Sequence, residues 1–541
     1  MSDLKKHGAA DIDEILKQLG LFGIYQKKRW ILFVITIWAL AMVEFTYIFT
    51  TINPKYRCSV PSCETPDQTE YKPIWLNNAV PYKDIQPARC KRFQVKNETE
   101  QSSLGECDSE LFNINVIEDC DEFVFDTKHT LIVQDFKLLC DKVWMIGIPG
   151  TAHSSALFVS LPISGYIADR VGRKKVIIFG LLLAGIFNII KSFSVSFWMF
   201  VACEFLQAGS ASGVFPSIFT LIAEFSPAER RVFGGVISFL CVAVAEVSIA
   251  SIAWNIYSWR WFLRFATIPC ALIILFTPFL PESIRWLISK NRIGEANTIL
   301  ETIAKANGTK LTEKHQLQLK DSQGDSKGDN GESESLKDVF KSVPMILRLG
   351  TCAFCWITCA FVFHGLLFMA GEISGNRYLN FILVGLVEIP GSCISYVSCR
   401  RFGRKFTISV ALIVVGICCG SYIFIPDGHW LRLAMFLLGK CAITTAFGSL
   451  YIITAEIYPT PFRQTLMGIC SMLGRIGSMS APQMPVLATI WSTLPILIFS
   501  LISIMAGLLS LILPETLNTT LPDTIEEAIN INKKTVENTK L

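Results

Sequence analysis

The chain has 541 residues, of which 51% are hydrophobic and 17% are charged, and its formal net charge is +4. Soluble domains carry about 25% charged residues and their cores stop growing near about 250–300 residues, so the composition excludes a soluble protein with one core. Much of the apolar surface is therefore predicted to face lipid, and the small, scattered charge argues against nucleic acid as a partner.

Twelve long apolar runs, separated by polar loops, follow one another along the chain. Each is close to the about 20 residues that a helix needs to span a bilayer. The predicted spans are residues 30–52, 142–168, 175–192, 196–222, 232–254, 259–280, 344–368, 378–398, 405–425, 430–455, 463–488 and 491–513. The sequence therefore predicts an all-α membrane protein with twelve transmembrane helices.

Two polar segments interrupt this rhythm and divide the chain. The first follows the first span, and the second, which is rich in Gly, Ser, Asp and Lys, separates the sixth span from the seventh. The predicted parts are a terminus at 1–29 without a secretory signal, a six-helix half at 30–280 with a large loop at 53–141, a linker at 281–343, a second six-helix half at 344–513 and a tail at 514–541.

Basic residues occur in the short loops on one side of the twelve-span arrangement. The positive-inside rule makes that side cytoplasmic. The residues are Lys27, Lys28, Arg29, Arg170, Arg173, Lys174, Lys175, Arg230, Arg231, Arg400, Arg401, Arg404, Lys405 and Arg463. Both termini fall on the same side, so the sequence predicts a multi-pass protein of the plasma membrane with cytoplasmic termini.

The loop at 53–141 is then extracellular, and its residues suit an oxidising compartment. It contains six cysteines, an even number that predicts a disulfide framework with fifteen alternative pairings. The cysteines are Cys58, Cys63, Cys90, Cys107, Cys120 and Cys140. A sequon begins at Asn97 in the same loop, and this asparagine is predicted to be glycosylated.

Three motifs of the first half recur in the second half in the same order. They are DRVGRK at 169–174 and RRFGRK at 400–405, AEFSPAERR at 223–231 and AEIYPTPFR at 455–463, and LPES at 280–283 and LPET at 513–516. The three motifs return after 231, 232 and 233 residues. Six helices are therefore predicted to be duplicated in parallel orientation, as in transporters whose site lies between two such halves.

The repeated motifs lie at helix ends on the cytoplasmic side. Gly172 and Gly403 permit tight turns there, and the neighbouring basic residues can pair with acidic ones to tie the halves together when the inside is closed. A role in gating and structure is favoured over substrate binding. The predicted gating residues are Asp169, Arg170, Gly172, Arg173, Glu224, Arg231, Glu282, Gly403, Arg404, Glu456 and Arg463.

With these motifs the chain resembles the organic cation, organic anion and carnitine transporter family of the major facilitator superfamily. The resemblance runs through nearly the whole chain. It includes FKLLCDKVW at 136–144, GYIADRVGRKK at 165–175, PESIRWL at 281–287, VEIPGS at 387–392 and LPETLNTTLPDTIEE at 513–527. The PESxRWL motif together with the long first loop is quite specific to this family. The resemblance implies the two-half facilitator fold and transport by alternating access.

Four ionisable residues stand near the centres of predicted spans, where each costs about 2.5–3.5 kcal/mol on insertion scales. They are Glu44, Glu246, Glu388 and Arg475. A pair between Arg475 and one glutamate would only position helices, and it would leave two carboxylates without a basic partner. Glu44 and Glu246 are candidates to couple ions, to bind a cation or to pair with Arg475.

The resemblance implies substrate roles for two of these residues. Glu388 matches an acid that faces the central cavity in the cation-transporting and carnitine-transporting branches. Arg475 matches an arginine of the anion and carnitine branches, and its planar guanidinium suits a carboxylate. The alternative is that Glu388 only braces Arg475.

Aromatic side chains are the third candidate group, because ring faces attract ammonium groups. Trp356, Phe363 and Phe215 align with aromatic residues of the family's cavity. The chain has 38 Phe residues, and most of them are expected to face lipid or to pack against other helices. Trp356 is expected to flank Glu388 from a neighbouring helix.

No hydrolase, zinc-protease or phosphate-loop motif occurs in the sequence, so neither an enzyme activity nor a cofactor or metal is expected. Transport energy must then come from gradients, with Na+ or H+ as candidate coupling ions. An acid and a base in one cavity favour small organic cations or zwitterions, such as carnitine-like, β-alanine-like or carcinine-like amines. The alternatives are a polyspecific organic anion exchanger, in which Arg475 dominates, and a non-transporting sensor on the same fold.

Overall fold

The computed structural model of the chain describes residues 15, 18–20, 23–64, 70–83, 86–96, 107–226, 228–309, 339–373, 375–426, 428–459, 462–517, 519, 522 and 524–531. Side chains are described for these residues except 110, 228–233 and 464. Asn97, the predicted glycosylation site, lies outside the described residues.

Twelve bundle helices occur in the described part of the chain, which confirms the predicted fold class. They are α1 (Ile24–Glu44, continued by Thr46–Thr50), α2 (Ile148–Val171), α3 (Arg173–Ser192), α4 (Phe197–Ala211, continued by Val214–Glu224), α5 (Ala228–Asn255), α6 (Trp259–Phe276), α7 (Val343–Met369), α8 (Arg377–Arg401), α9 (Arg404–Phe424), α10 (Trp430–Ile457), α11 (Arg463–Ser480, continued by Met484–Ile490) and α12 (Leu494–Ser510). Within the described ranges, nine helical stretches are long and apolar enough to cross a membrane by themselves.

The helices form two halves, α1–α6 and α7–α12, which meet through α2 against α11 and α5 against α8. Many large apolar side chains on the outer surface are exposed, as a lipid-facing bundle requires, and examples are Leu275, Ile417 and Leu501. The end of the bundle that carries residues 53–141 is called the loop end here, and the opposite end, which carries residues 281–343, is called the linker end.

Disulfides and short strands organise the large loop. The six predicted cysteines form three bonds, Cys58–Cys120, Cys63–Cys107 and Cys90–Cys140, which confirms the disulfide framework and selects one pairing. The strands form antiparallel pairs: β1 (Tyr56–Cys58) with β6 (Phe123–Phe125), β2 (Tyr82–Lys83) with β3 (Gln86–Pro87), and β4 (Lys91–Val95) with β5 (Phe112–Asp119). Short helices lie at Leu76–Ala79, Ser109–Leu111, Ile132–Asp135 and Cys140–Gly147.

The remaining short helices lie between or after the bundle helices. They are Thr277–Phe279, Ile284–Ser289, Ile293–Asn307, Ala370–Glu372, Ala481–Gln483 and Ile525–Ile529. The helix Ile293–Asn307 docks on the start of α1, because the amide of Asn307 donates to the Leu19 carbonyl at 2.9 Å and accepts from the N–H of Tyr25 at 3.1 Å.

The halves are joined by hydrogen bonds near the loop end. The Thr151 hydroxyl on α2 donates to the Met479 carbonyl at 3.0 Å, and the Ser154 hydroxyl donates to the Ser478 carbonyl at 3.2 Å. Since Thr151 and Ser154 lie in the first two turns of α2 at its loop end, these bonds close the bundle on that side.

Candidate functional site

Glu388 on α8 forms an ion pair with Lys440 on α10. The Lys440 ammonium lies 2.7 Å from Glu388 Oε1, and both side chains are buried. The same ammonium donates to the Phe363 carbonyl at 3.1 Å and lies 3.4 Å from the centroid of the Phe363 ring. The alternative in which Glu388 braces Arg475 is therefore wrong in this structure, because Lys440 takes that place.

Glu246 on α5 lies next to Glu388 across the junction of the halves. Both carboxylate oxygens of Glu246 are buried, and neither accepts a hydrogen bond from a described donor. Gly385, one turn before Glu388, makes this approach of α5 and α8 feasible, because a Cβ there would lie only 3.3 Å from Glu246 Cβ. Two acidic side chains, one from each half, thus lie side by side, and the described ammonium group beside them pairs with Glu388 alone.

Arg475 on α11 is half-buried and forms no ion pair within 4.0 Å with the described side chains. Its neighbour Gly474 packs against Trp356 on α7. The prediction that a glutamate could pair with Arg475 does not hold here, and its guanidinium remains available for another anion.

Glu44 on α1 has a basic partner that the sequence reasoning overlooked. Its Oε2 lies 3.3 Å from Nε2 of His153 on α2. The expectation that two further carboxylates lack a basic partner is therefore wrong, since His153 serves Glu44 and Lys440 serves Glu388. His153 and Lys440 lie inside predicted spans. An ionisable residue in an apolar span is the signal that singled out the other four charges, and it applies to these two as well.

The three predicted aromatic residues belong to one chain of ring contacts that crosses between the halves. Ring centroids are separated by 6.1 Å for Phe215–Phe239, 6.0 Å for Phe239–Tyr451, 4.5 Å for Tyr451–Trp356, 5.7 Å for Trp356–Phe447 and 5.6 Å for Phe447–Phe363. Phe239 was not predicted, because nothing in the sequence separates it from the other phenylalanines.

Trp356 is more deeply buried than a residue that lines an open cavity. Only 2% of its surface is exposed, and its indole N–H donates to the Thr454 hydroxyl at 3.1 Å. The ring beside the Glu388–Lys440 pair is that of Phe363, so the expectation that Trp356 flanks Glu388 is corrected. The hydroxyl of Thr454 satisfies the indole N–H and holds Trp356 against α10 instead.

A small recess lies beside Glu246, toward the loop end. Its lining is otherwise apolar and aromatic, and includes Phe45, Phe49 and Phe381. A second small recess lies between the halves, closer to the loop end. Among the described residues, no cluster of three His, Cys, Asp or Glu side chains could hold a metal ion.

The first repeated motif forms a capped turn at the linker end. Gly172, between α2 and α3, has φ +104°, a conformation that favours glycine. Glu282 accepts hydrogen bonds from the backbone N–H groups of Arg173 (3.0 Å) and Lys174 (3.2 Å) and so caps the N-terminus of α3. The Arg173 guanidinium lies 3.6 Å from the Glu224 carboxylate.

The second half repeats this arrangement. Gly403 has φ +97°, and Glu515 accepts from the N–H groups of Arg404 (2.9 Å) and Lys405 (3.1 Å). The Arg404 guanidinium pairs with Glu456 at 3.0 Å. Glu515 is the counterpart of Glu282 in the repeated LPES and LPET motifs, and it was overlooked although the repeat pointed to it.

The Arg173–Glu224 pair lies within the first half, and the Arg404–Glu456 pair lies within the second. The expectation that these residues tie the two halves together is therefore not met by the described pairs, because each arginine reaches a helix end of its own half. Of the other predicted gating residues, Asp169 lies 3.8 Å from Arg173, and Arg170 lies over a tyrosine ring of its own helix. Arg463 donates to a backbone carbonyl at 3.4 Å, whereas the Arg231 side chain lies outside the described residues.

Comparisons with known proteins agree with this architecture. The profile of the Major Facilitator Superfamily matches residues 143–482. An organic cation transporter protein of Drosophila melanogaster is 30% identical over 96% of this chain and 95% of its own length. Solute carrier family 22 member 1 of Oryctolagus cuniculus is 29% identical over 97% of this chain and 96% of its own length.

A solved structure shows the same fold at low sequence identity. The xylose transporter XylE of E. coli, in an inward-open conformation, is 15% identical and covers 91% of this chain and 97% of its own, with a TM-score of 0.57. The confirmed helix arrangement, the profile match and the nearly full-length relatives together identify the family. The chain belongs to the Major Facilitator Superfamily and, within it, to solute carrier family 22, a family of organic ion transporters.

Proposed function

We propose that the protein is a secondary transporter of the plasma membrane that moves small organic ions by alternating access. The names of its nearly full-length relatives support this class of substrate. The basic residues in the short loops of the linker end support a cytoplasmic position for that end and for both termini. Glycosidase treatment should then shift the electrophoretic mobility of the wild type, but not that of Asn97→Gln.

The substrate is proposed to carry an ammonium group, and one observation supports this most strongly. Glu246 and Glu388 are buried carboxylates from opposite halves, and their one described cationic partner, Lys440, pairs with Glu388. Neighbouring carboxylates in a medium of low dielectric constant repel each other, and one lysine offsets only one of the two charges. A substrate ammonium beside Glu246 would supply the second positive charge, and the rings of Phe45, Phe49 and Phe381 that line the recess there would add cation–π contacts.

A carboxylate on the same substrate would bind Arg475, whose guanidinium has no ion-pair partner among the described side chains. Lys440 contacts Phe363 on α7, and Gly474, the neighbour of Arg475, contacts Trp356 on the same helix. Phe363 and Trp356 are seven residues apart. At about 1.5 Å per residue, the two levels are separated by about 10 Å along the helix axis. Because the long arginine side chain shortens this separation, zwitterions whose two charges lie several bonds apart, such as carnitine, are favoured over α-amino acids, whose two charges lie on adjacent carbons.

A second candidate, the exchange of organic anions, is supported by the Glu388–Lys440 pair. If the pair is permanent, Glu388 is structural and Arg475 dominates the recognition of substrate. Uptake of labelled carnitine, tetraethylammonium and para-aminohippurate into cells that express the chain separates these functions. Uptake of carnitine above the other two supports the zwitterion transporter, and preference for para-aminohippurate supports the anion exchanger. No uptake of any probe by a chain present at the cell surface would favour the sensor.

A further inference from the structure

The first half contains a buried ionic network that the proposed substrate site does not use. Lys191 on α3 and Glu204 on α4 are both fully buried, and the Lys191 ammonium lies 2.7 Å from Glu204 Oε2. The ammonium also donates to the Thr46 hydroxyl at 3.2 Å and to Gln207 Oε1 at 2.5 Å. Its three donors therefore have three acceptors, so Lys191 is a fixed counter-charge for Glu204.

His153 on α2 lies between two carboxylates. Its Nδ1 is 2.8 Å from Glu204 Oε1 and its Nε2 is 3.3 Å from Glu44 Oε2. A neutral imidazole donates from one nitrogen only, and the lone pair on the other would face a carboxylate. Both contacts are favourable only if one further proton is present, either on the imidazole or on a glutamate.

The exchangeable proton belongs to His153 and Glu44 rather than to Glu204. Glu204 has no exposed surface and is paired with Lys191, whereas the Glu44 side chain is 19% exposed. Glu44 is also the last residue of the first helical segment of α1, which is interrupted at Phe45. Interrupted helices are a recurring feature of ion sites in transporters. The partly exposed Glu44 thus offers a proton a way to the buried histidine.

The charge of the network also requires one bound proton. Other titratable or charged groups lie around it on the neighbouring helices, namely Tyr47 on α1, Cys203 on α4, Glu246 on α5, Cys270 on α6, His364 on α7 and Arg475 on α11, and the opposite charges of Glu246 and Arg475 offset each other. Two glutamates and one lysine carry a net charge of −1, which is costly in a buried site. One proton on His153 or Glu44 makes the network neutral.

We propose that His153 and Glu44 bind one proton, which the transporter carries across the membrane together with each organic substrate; this rests on the proposed transport function. The proton adds to the free imidazole nitrogen or to the Glu44 carboxylate and leaves from the same atom. Because this site is in the first half, and Glu388 and Arg475 are in the second, proton and substrate can be bound at the same time, which predicts symport.

The closed loop end gives the coupling a structural basis. Thr151 and Ser154 on either side of His153 are bonded to α11, and the His153 ring is stacked on Tyr47 at 4.5 Å. In this state His153 is only 5% exposed. Separation of α2 from α11 would break these bonds and open His153 to the loop side, where it would take up its proton.

The transport test uses the full-length chain in proteoliposomes at zero membrane potential, with carnitine as the probe. An inward proton gradient of one pH unit, without sodium, is expected to accumulate carnitine up to about tenfold if one proton moves with each substrate. His153→Gln and Glu44→Gln should lose accumulation but retain carnitine exchange, which needs no net proton movement. His364→Gln should retain both, because the hydrogen bond of that histidine within the described residues stays in its own helix, at the Ala360 carbonyl.

Wild-type exchange without proton-driven accumulation, or accumulation driven by sodium alone, would overturn the proton site and leave the proposed function standing. A second measurement needs no substrate. In purified protein with 13C-labelled histidine rings, the signal lost in His153→Gln should titrate between pH 5 and 9, and Glu44→Gln should move its midpoint by more than one pH unit. A signal that does not titrate in this range contradicts the proposal, even if no probe is exchanged.

Discussion

The buried carboxylates of the bundle differ in their partners, and these partners decide what each residue can do. Glu204 has both Lys191 and His153, so its charge is fully compensated. Glu388 has Lys440, whereas Glu246 has no described donor. Since a buried charge without compensation is costly, a charged substrate would be stabilised most at Glu246 and at Arg475, which has no ion-pair partner among the described side chains.

Reversal of the charge at Arg475 should discriminate against carboxylate-bearing substrates. In Arg475→Asp the carboxylate of carnitine or para-aminohippurate meets another anion, so uptake of both should fall at least tenfold, equivalent to ~1.4 kcal/mol. Arg475→Lys retains the charge but loses the planar fork, and a smaller loss is expected. Undiminished uptake of carboxylates by an Arg475→Asp chain that reaches the cell surface would exclude this role.

Removal of the charge at Glu388 should have two separable effects. Glu388→Gln leaves Lys440 buried without its partner, which costs about 3–5 kcal/mol of stability, whereas replacement of both partners is often close to neutral. Glu388→Gln with Lys440→Met should therefore recover thermal stability without recovering the uptake of cations. If the double variant transports tetraethylammonium as the wild type does, Glu388 is structural and the anion exchanger is favoured.

His129 in the large loop predicts a dependence of loop-end closure on pH. Its ring lies 4.9 Å from that of Tyr257 in the first half and 5.0 Å from that of Tyr378 in the second half. Burial lowers the pKa of His129, and the nearby Arg377 lowers it further. The closed state therefore favours the neutral His129 ring. The contribution of this ring to the stability of the closed state is fully present above about pH 6.5 and is lost as the pH falls below that value.

Acidification should consequently open the loop end, and His129→Gln should remove this component. The distance between spin labels at Val195 and Trp491, which are exposed positions of the two halves at the loop end, reports the opening. A longer distance at pH 5.5 than at pH 7.5 is expected in the wild type only. The same pH response in His129→Gln would assign it to another group.

Part of the charge network could be predicted from the sequence, and part could not. Glu44, Glu246, Glu388 and Arg475 were recognised because ionisable residues are rare in apolar runs. Which charges pair depends on helix rotation and depth, which periodicity does not determine to better than a turn. For this reason the sequence could not show that Glu388 pairs with Lys440 and not with Arg475.

At the scale of helices, the repeat predicts a stabilising role for Glu515. Its carboxylate accepts two N–H groups at the start of α9, as Glu282 does at the start of α3. Loss of such a cap typically costs about 0.5–2 kcal/mol, so Glu515→Ala and Glu282→Ala should lower the temperature of unfolding by similar amounts. Glu295→Ala is the matched control, because Glu295 is exposed and pairs only with Arg292. An unchanged temperature for Glu515→Ala would show that the cap is not needed.

The predicted spans agree with the observed helices to within a few residues, since apolar length is a strong signal. The largest differences at helix starts are six residues, at α1, which begins at Ile24 instead of residue 30, and at α2. α2 begins at Ile148 instead of residue 142, because Cys140–Gly147 form a tighter helix that the Cys90–Cys140 bond fastens to the loop. The disulfide pairing itself could not be predicted, since it depends on how β4 and β5 place the cysteines.

At the scale of the whole molecule, the two halves present complementary chemistry to one another. The first half contributes Glu246 and the His153–Glu44 pair, and the second contributes Glu388 and Arg475. Alternating access needs a site that both halves share, so that its occupancy favours one closed state over the other. The aromatic chain from Phe215 to Phe363 crosses the same junction, so separation of the halves would break a ring contact in it.

The most direct test of substrate recognition is to remove one substrate charge while the other is kept. Carnitine and its methyl ester share the ammonium group, but only carnitine offers a carboxylate to Arg475. Initial uptake of both into proteoliposomes should favour carnitine at least tenfold in the wild type, and Arg475→Asp should abolish that preference. Equal uptake of the two compounds by the wild type would contradict recognition of a zwitterion by Arg475 together with Glu246 and Glu388.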